Sequence, residues 1–186
     1  MSMNRMLAAL ALAAFALGGC ATHPYDALMR ASIDAPYRLA SGDRLRVIVF
    51  GQDNLTNSFN VGASGDISMP LIGLVPAQGL TTAELSAAIA ARLRAGYVRD
   101  PKVSVEVEAF RPFFVLGEVN TSGQYPFVNG MTAQTAVAIA GGFSPRGYQG
   151  GVDVTRVIDG RPMTASEPMT FPLRPGDTVT VRERFF

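Results

Sequence analysis

One cysteine, one histidine and one lysine occur in a chain of 186 residues, and each scarcity closes off a class of chemistry. With Cys20 alone, no disulfide framework can form within a subunit. With His23 alone, there is no histidine cluster for zinc or iron, no Cys/His pair and no Ser-His-Asp arrangement. His23 also stands three residues from Cys20, far from any segment patterned to form a pocket. Lys102 is the single lysine, and 16 basic residues balance 15 acidic ones without a charge run, so nothing points to nucleic acid. Long apolar runs are lacking too. The longest, Met6 to Leu17, reaches about 18 Å as a helix, short of the roughly 30 Å of a bilayer core.

That short run follows the basic Arg5 and leads into Leu17-Gly18-Gly19-Cys20. A basic start, a short apolar stretch and small residues describe a secretory signal, which is set aside before fold reasoning. The small residues before Cys20 resemble a bacterial lipobox, in which the cysteine is lipidated and becomes the first mature residue. Ala21, rather than Asp, follows it, which in lipoproteins of this type favours the outer membrane. One acyl chain anchors marginally and several together hold firmly. Residues 1–19 are therefore expected to be a signal peptide, and removing them takes away Arg5 and leaves 15 basic against 15 acidic residues. Residues 20–36 show no clear periodicity and read as a lipid-attached tether.

The rest is regular. Ser41-Gly42-Asp43 is a turn, and Arg44 to Phe50 a strand with Leu45, Val47 and Val49 on one face. Phe59–Val61 and Ile67–Met69 are expected to pair as a hairpin around Gly62–Asp66, with Pro70 ending the second strand. Thr81-Thr82-Ala83-Glu84 has the form of a capping box; Leu85, Ile89 and Leu93 then form one stripe, and Gly96 stops the helix. Val103, Val105 and Val107 alternate with Ser104, Glu106 and Glu108. After Arg111-Pro112 come strands at 113–119 and 125–128, a helix from Thr132 to about Ala140 closed by Gly141-Gly142, a hairpin turning at Asp159-Gly160, and a last strand from Thr178 to Arg182. The order β-β-α-β-β-β suggests an α+β sheet curled around one helix. Gly176-Asp177 echoes Gly42-Asp43, and both read as turns that start strands.

Candidate acids for a carboxylate pair are Asp43, Asp66, Glu118 and Asp177. Three follow a glycine, where Asp bonds the turn backbone. Glu118 follows Gly117 and is expected to face solvent. Ser144-Pro145-Arg146-Gly147 follows a helix instead of opening one, so it offers no helix N-terminus to a phosphate. Phe50, Phe110, Phe113, Phe114, Tyr125 and Phe127 fall on strands and read as core. No catalytic residue, metal site or cofactor motif emerges.

Tyr37-Arg38-Leu39-Ala40-Ser41-Gly42-Asp43-Arg44-Leu45 with Val49-Phe50-Gly51 resembles the opening of the polysaccharide export domain of outer-membrane exporters. The resemblance runs through Gly65-Asp66-Ile67, Pro70-Leu71-Ile72-Gly73, Gly79-Leu80-Thr81 and Asp100-Pro101-Lys102-Val103. Val115-Leu116-Gly117-Glu118-Val119, Gly123-Gln124-Tyr125, Ala140-Gly141-Gly142-Phe143 and Pro175-Gly176-Asp177 resemble the SLBB (soluble-ligand-binding β-grasp) module that follows it. The hairpin turn departs from the family by carrying Gly62 and Ser64 where Asp is frequent. The resemblance implies an export domain at 37–109, a mixed sheet with one helix, and a β-grasp module at 110–186. It also implies transport without catalysis: a homo-oligomeric ring on the periplasmic face of the outer membrane, passing capsular polysaccharide or exopolysaccharide. An inner-membrane polysaccharide co-polymerase docks against such a ring. Only Glu183 to Phe186 follow the final strand, so a short form without the C-terminal membrane helix is expected, working with a separate outer-membrane β-barrel.

Two rival classes remain open at this point: a monomeric periplasmic carbohydrate-binding or adaptor lipoprotein, and a glycan-processing enzyme. Which residues contact polysaccharide is not assigned, because the strand face that turns inward depends on the ring. Cys20 is the one nominated site residue. Replacing it by Ser should leave an uncleaved or mislocalised precursor and abolish labelling by a radioactive fatty acid. Unchanged labelling would overturn the anchor.

Overall fold

A computed structural model describes residues 24–184 of the protein. The signal segment, Cys20 and His23 lie outside the described residues.

The first described element, a helix the sequence reading did not expect, falls within the stretch read as a tether. Helix α1 spans Pro24–Asp34, and Met29 on it is fully buried in the core of the C-terminal unit. Pro24 opens the helix, a position where its missing N–H costs nothing. Leu28, Met29 and Ile33 give the helix an apolar face at helical spacing, a signal the sequence reading passed over, and tertiary contact holds that face in place.

The N-terminal unit is built on β1 (Arg44–Val49), flanked by β2 (Asn57–Asn60) and β5 (Val103–Ala109) in the order β2-β1-β5, all antiparallel. Leu45, Val47 and Val49 are buried as their alternation requires. They join Leu85, Ile89 and Leu93 of helix α2 (Thr82–Arg94) in one core. The capping box forms: the Thr81 hydroxyl accepts from the Glu84 N–H, and the Glu84 carboxylate accepts from the Thr81 N–H at 2.7 Å. The bond from the Thr81 N–H, then that from the Thr81 hydroxyl, which donates to the carboxylate at 3.0 Å, hold the Glu84 carboxyl below its usual range. The helix ends at Arg94 with Ala95 as its cap, and the Tyr97 and Val98 N–H groups close onto Leu93 O.

The expected hairpin around Gly62–Asp66 does not form. β2 pairs with β1 instead, and β3 (Asp66–Met69) pairs with β4 (Gly73–Pro76) across Pro70–Ile72. Within 62–66 the turn bonds close on themselves, Gly65 N–H to Gly62 O and Gly62 N–H to Asp66 O. The Gly65 carbonyl meanwhile accepts from Ala77 and Gln78; the turn itself closes, but no ladder between β2 and β3 extends from it. Pro70 does end β3, as expected.

The C-terminal unit is a five-stranded sheet in the order β7-β6-β10-β8-β9. Its strands are β6 (Phe113–Gly117), β7 (Gly123–Tyr125), β8 (Val152–Ile158), β9 (Arg161–Glu167) and β10 (Thr178–Val181). The parallel β6–β10 pair lies at the centre, with hairpins β6–β7 and β8–β9 outside it. This is the β-grasp order, and the unit as a whole is the α+β module the sequence suggested. Helix α3 (Ala133–Ile139) buries Ala133, Ala136 and Val137 against the sheet. Thr132 caps it, and the Asp159-Gly160 turn has positive φ at both residues. β7 ends at Tyr125, before its expected end, because Pro126 has no N–H to continue the ladder.

Two aromatics depart from the core reading. Phe50 is 79% exposed beyond the end of β1, and Phe114 is 40% exposed on the open face of β6. Phe113 and Phe127 are buried, and Phe110 and Tyr125 pack against the same core.

Candidate functional site

The two Gly-Asp turns have the same geometry and start β1 and β10. In each, the Asp N–H donates to the carbonyl three residues back, Ala40 or Arg174, at 3.1 Å. The Asp carboxylate accepts that same residue's N–H, at 2.9 Å from Ala40 and 2.7 Å from Arg174. Gly42 and Gly176 take positive φ to allow it. A side chain at Gly176 would also meet the Arg111 Nε at 2.7 Å.

The carboxylates go further than turn formation. Asp43, 0% exposed, accepts the Tyr37 hydroxyl at 2.6 Å and the Arg111 N–H at 2.9 Å, with the Arg111 guanidinium at 3.4 Å. Arg111 Nη1 also donates to the Tyr37 hydroxyl at 3.0 Å. Asp177, 1% exposed, receives a two-pronged bond from Arg156, Nε at 2.9 Å and Nη2 at 2.6 Å. Arg156 spends its other donors on Ser32 Oγ of α1 and Pro172 O. Arg174 donates to the Ile33 and Ala35 carbonyls at the end of α1.

The linker Phe110-Arg111-Pro112 threads between these turns. Asp43 holds the Arg111 backbone, and the Pro112 carbonyl accepts the Gly176 N–H at 3.1 Å. The two units and α1 therefore meet at one polar junction, and no buried side-chain nitrogen or oxygen among the described residues lacks a partner. Burial, then the bond to Asp43, pushes the Tyr37 phenol far above its ordinary value. Burial, then the neighbouring Arg156, lowers the Arg174 guanidinium below its own.

On the other side of Tyr37 a cleft of about 640 Å³ opens between the units. Tyr37, Phe110 and Phe127 line it; Tyr37 and Phe110 meet edge-on at 5.0 Å, Phe110 and Phe127 at 5.7 Å. Thr82, Glu106, Asn129 and Arg174 supply its polar edge.

Of the candidate acids, Asp43 and Asp177 come together at the junction. Asp66 stays apart at the start of β3, and Glu118 accepts the Ser144 hydroxyl at 2.6 Å. The Ser144–Gly147 loop is structural as well: Arg146 pairs with Glu183. Tyr37, Arg111, Arg156 and Arg174 carry the junction, and sequence reasoning missed all four. One signal was available. Val152, Val154 and Arg156 share the inward phase of β8, and an inward arginine requires a buried acceptor. Among the described residues no group of three or more His, Cys, Asp or Glu could hold a metal, and no helix is long and apolar enough to cross a membrane.

Residues 31–108 match the family model described as Polysaccharide biosynthesis/export protein, and residues 112–165 match the SLBB domain. The chain is 36% identical over 118 residues to the exopolysaccharide production protein ExoF of Rhizobium meliloti, covering 57% of this chain and 28% of ExoF. It is 29% identical over 183 residues to the EPS I polysaccharide export outer membrane protein EpsA of Ralstonia nicotianae, covering 80% of this chain and 48% of EpsA. EpsA of Ralstonia solanacearum is 30% identical over 185 residues with the same coverage. The chain thus spans less than half the length of these curated relatives.

Two predictions follow from the junction. Asp177→Ala strands Arg156 as a buried charge and should cost roughly 3–5 kcal/mol in urea unfolding. A double replacement, Arg156→Met with Asp177→Leu, should cost clearly less. Raising the Tyr37 value means the native state holds that proton more tightly than the unfolded chain does. Its stabilisation is therefore complete below pH 10.0, the ordinary value, and falls as pH rises above it. Thermal unfolding between pH 9 and 11 should show this loss, and Tyr37→Phe should reduce it.

Proposed function

We propose that this chain, which belongs to the polysaccharide export family, is a subunit of an oligomeric conduit for capsular polysaccharide or exopolysaccharide. The observation that carries the reading is the order of the two matched domains, joined through a polar junction instead of a free linker. A fixed relation between two domains is what a repeating ring needs, since each copy must present the same surfaces to its neighbours. The EpsA relatives, polysaccharide export outer membrane proteins, support export as the process and the outer membrane as the place.

In this reading Cys20 carries the lipid after removal of 1–19, residues 20–36 connect lipid to protein, 37–109 form the export domain and 110–186 the SLBB-like module. The protein sits on the periplasmic face of the outer membrane. Its partners are further copies of itself and an inner-membrane polysaccharide co-polymerase, with the polymer as cargo. The role is transport without catalysis. Support for that comes from how the acids are used: Asp43 and Asp177 are committed to arginine and backbone donors, and Glu118 to Ser144. A general acid or base must instead reach a substrate proton.

The test combines two measurements. Light scattering of the lipidated protein in mild detergent should give a closed oligomer. Deleting the gene should leave polymer made but retained inside the cell envelope. A monomer at all concentrations would favour the adaptor reading, undiminished secretion would overturn the export role, and turnover of purified polymer by the protein would overturn the non-catalytic one.

A further inference from the structure

The cleft beside the junction brings together groups that the fold does not use. Thr82 at the start of α2, Glu106 on β5 and Asn129 before α3 come from three separate segments and converge on one opening. Among the described residues none of these side chains makes a hydrogen bond or ion pair. Between them lie the rings of Tyr37, Phe110 and Phe127, and Arg174 stands at the rim. Arg174 has two backbone carbonyls as partners and no carboxylate within ion-pair distance among the described residues.

The volume of about 640 Å³ falls within the roughly 300–1,000 Å³ of small-ligand sites. Aromatic walls with a few convergent polar groups are the usual composition of such sites, often at domain boundaries. The polar set is specific in character. One carboxylate, one guanidinium, an amide and a hydroxyl offer donors and acceptors without a concentration of either charge. A phosphorylated ligand would call for clustered cations or a free helix N-terminus. Here the α2 terminus is already occupied by its own Glu84. A pyranose ring fits: its hydroxyls take Glu106, Asn129 and Thr82, and its C–H faces lie against aromatic carbon. The cleft is open to solvent, so a sugar unit can enter it from outside.

We propose that this interdomain cleft is a polysaccharide-binding subsite, holding one or two sugar units of the exported polymer against Tyr37 and Phe110 with Glu106 and Asn129 as hydrogen-bonding residues. The proposal rests on the export reading given above and names where on the subunit the polymer is held.

The experiment uses the full chain and oligosaccharides of four to eight sugars cut from the exopolysaccharide that the source strain secretes. Amide chemical shifts are followed during titration, with the thermal unfolding curve of each variant recorded alongside. The expected result is shift changes at Thr82, Glu106 and Asn129, and an affinity about tenfold weaker in Glu106→Gln with Asn129→Ala. Both side chains are exposed and unpaired, so that double variant should unfold where the parent does. Gln124→Ala, on the far face of the sheet, should bind like the parent. Shifts confined to the open face around Phe114, or equal affinity in the double variant, would overturn the site. Shifts at these residues on raising protein concentration alone would assign the cleft to a second copy of the chain and overturn it too. Secretion in the gene deletion separates the two levels: if export depends on the gene but the cleft ignores the sugar, only the subsite fails.

Discussion

The carboxylate of Asp43 ties the two halves of the molecule to each other. It belongs to the N-terminal unit by its turn, yet it accepts the backbone N–H and faces the guanidinium of Arg111, the residue on which the second unit begins. One residue further on, the Pro112 carbonyl accepts from Gly176 in the turn that starts β10. A linker with free peptide groups would let the units swing, because domain interfaces of modest size default to relative motion. Here the Arg111 N–H is held by one unit and the Pro112 carbonyl by the other. The equivalent turn around Asp177 extends the same hold to α1 through Arg156 and Ser32.

Buried ion pairs are poor evidence for stability taken alone, since desolvation offsets much of the attraction and well-packed apolar groups often do as well. What the Arg156–Asp177 pair supplies is direction. Its donors are distributed over three segments, the β10 turn, the Pro172 carbonyl and α1, and an apolar cluster could hold those together in several arrangements. A planar guanidinium with its bonds satisfied admits one. The same argument applies to Arg111, which is half-buried and bridges the Tyr37 hydroxyl and the Asp43 carboxylate.

Elements whose stability is local were legible in the sequence. β1, α2 with its capping box, α3, and the Asp159-Gly160 hairpin each carry their own pattern, and each forms. What escaped were features set by distant contact. α1 is short and follows directly on the signal-like segment, so its apolar face of Leu28, Met29 and Ile33 was passed over; it is held by Met29 and by arginines more than a hundred residues away. The β2 and β3 partners were misassigned because two strands flanking a glycine turn look like a hairpin whichever way the turn sends the chain. Phe50 and Phe114 were read as core from residue type, but Phe50 lies beyond the last ladder pair and Phe114 on the open face of its strand. The Gly-Asp echo was visible as a turn. Its role at the junction was not, because the residues it binds lie 21 and 68 positions away.

The junction and the cleft are two sides of one structure. Tyr37 gives its hydroxyl to Asp43 and its ring to the cleft; Phe110 lines the cleft next to the residue that Asp43 holds; Arg174 anchors α1 from the cleft's rim. The cleft walls come from both units, so their separation is set by the same hydrogen bonds that join those units. A binding surface assembled from two mobile domains would have to be ordered each time a ligand arrived, at a cost in affinity. Here that ordering is completed on folding, by residues that touch no ligand. Asp43 and Asp177 do not line the cleft and are consumed in the junction that holds its walls together. Glu106 is the carboxylate that lines the cleft, and it has no hydrogen-bond or ion-pair partner among the described residues.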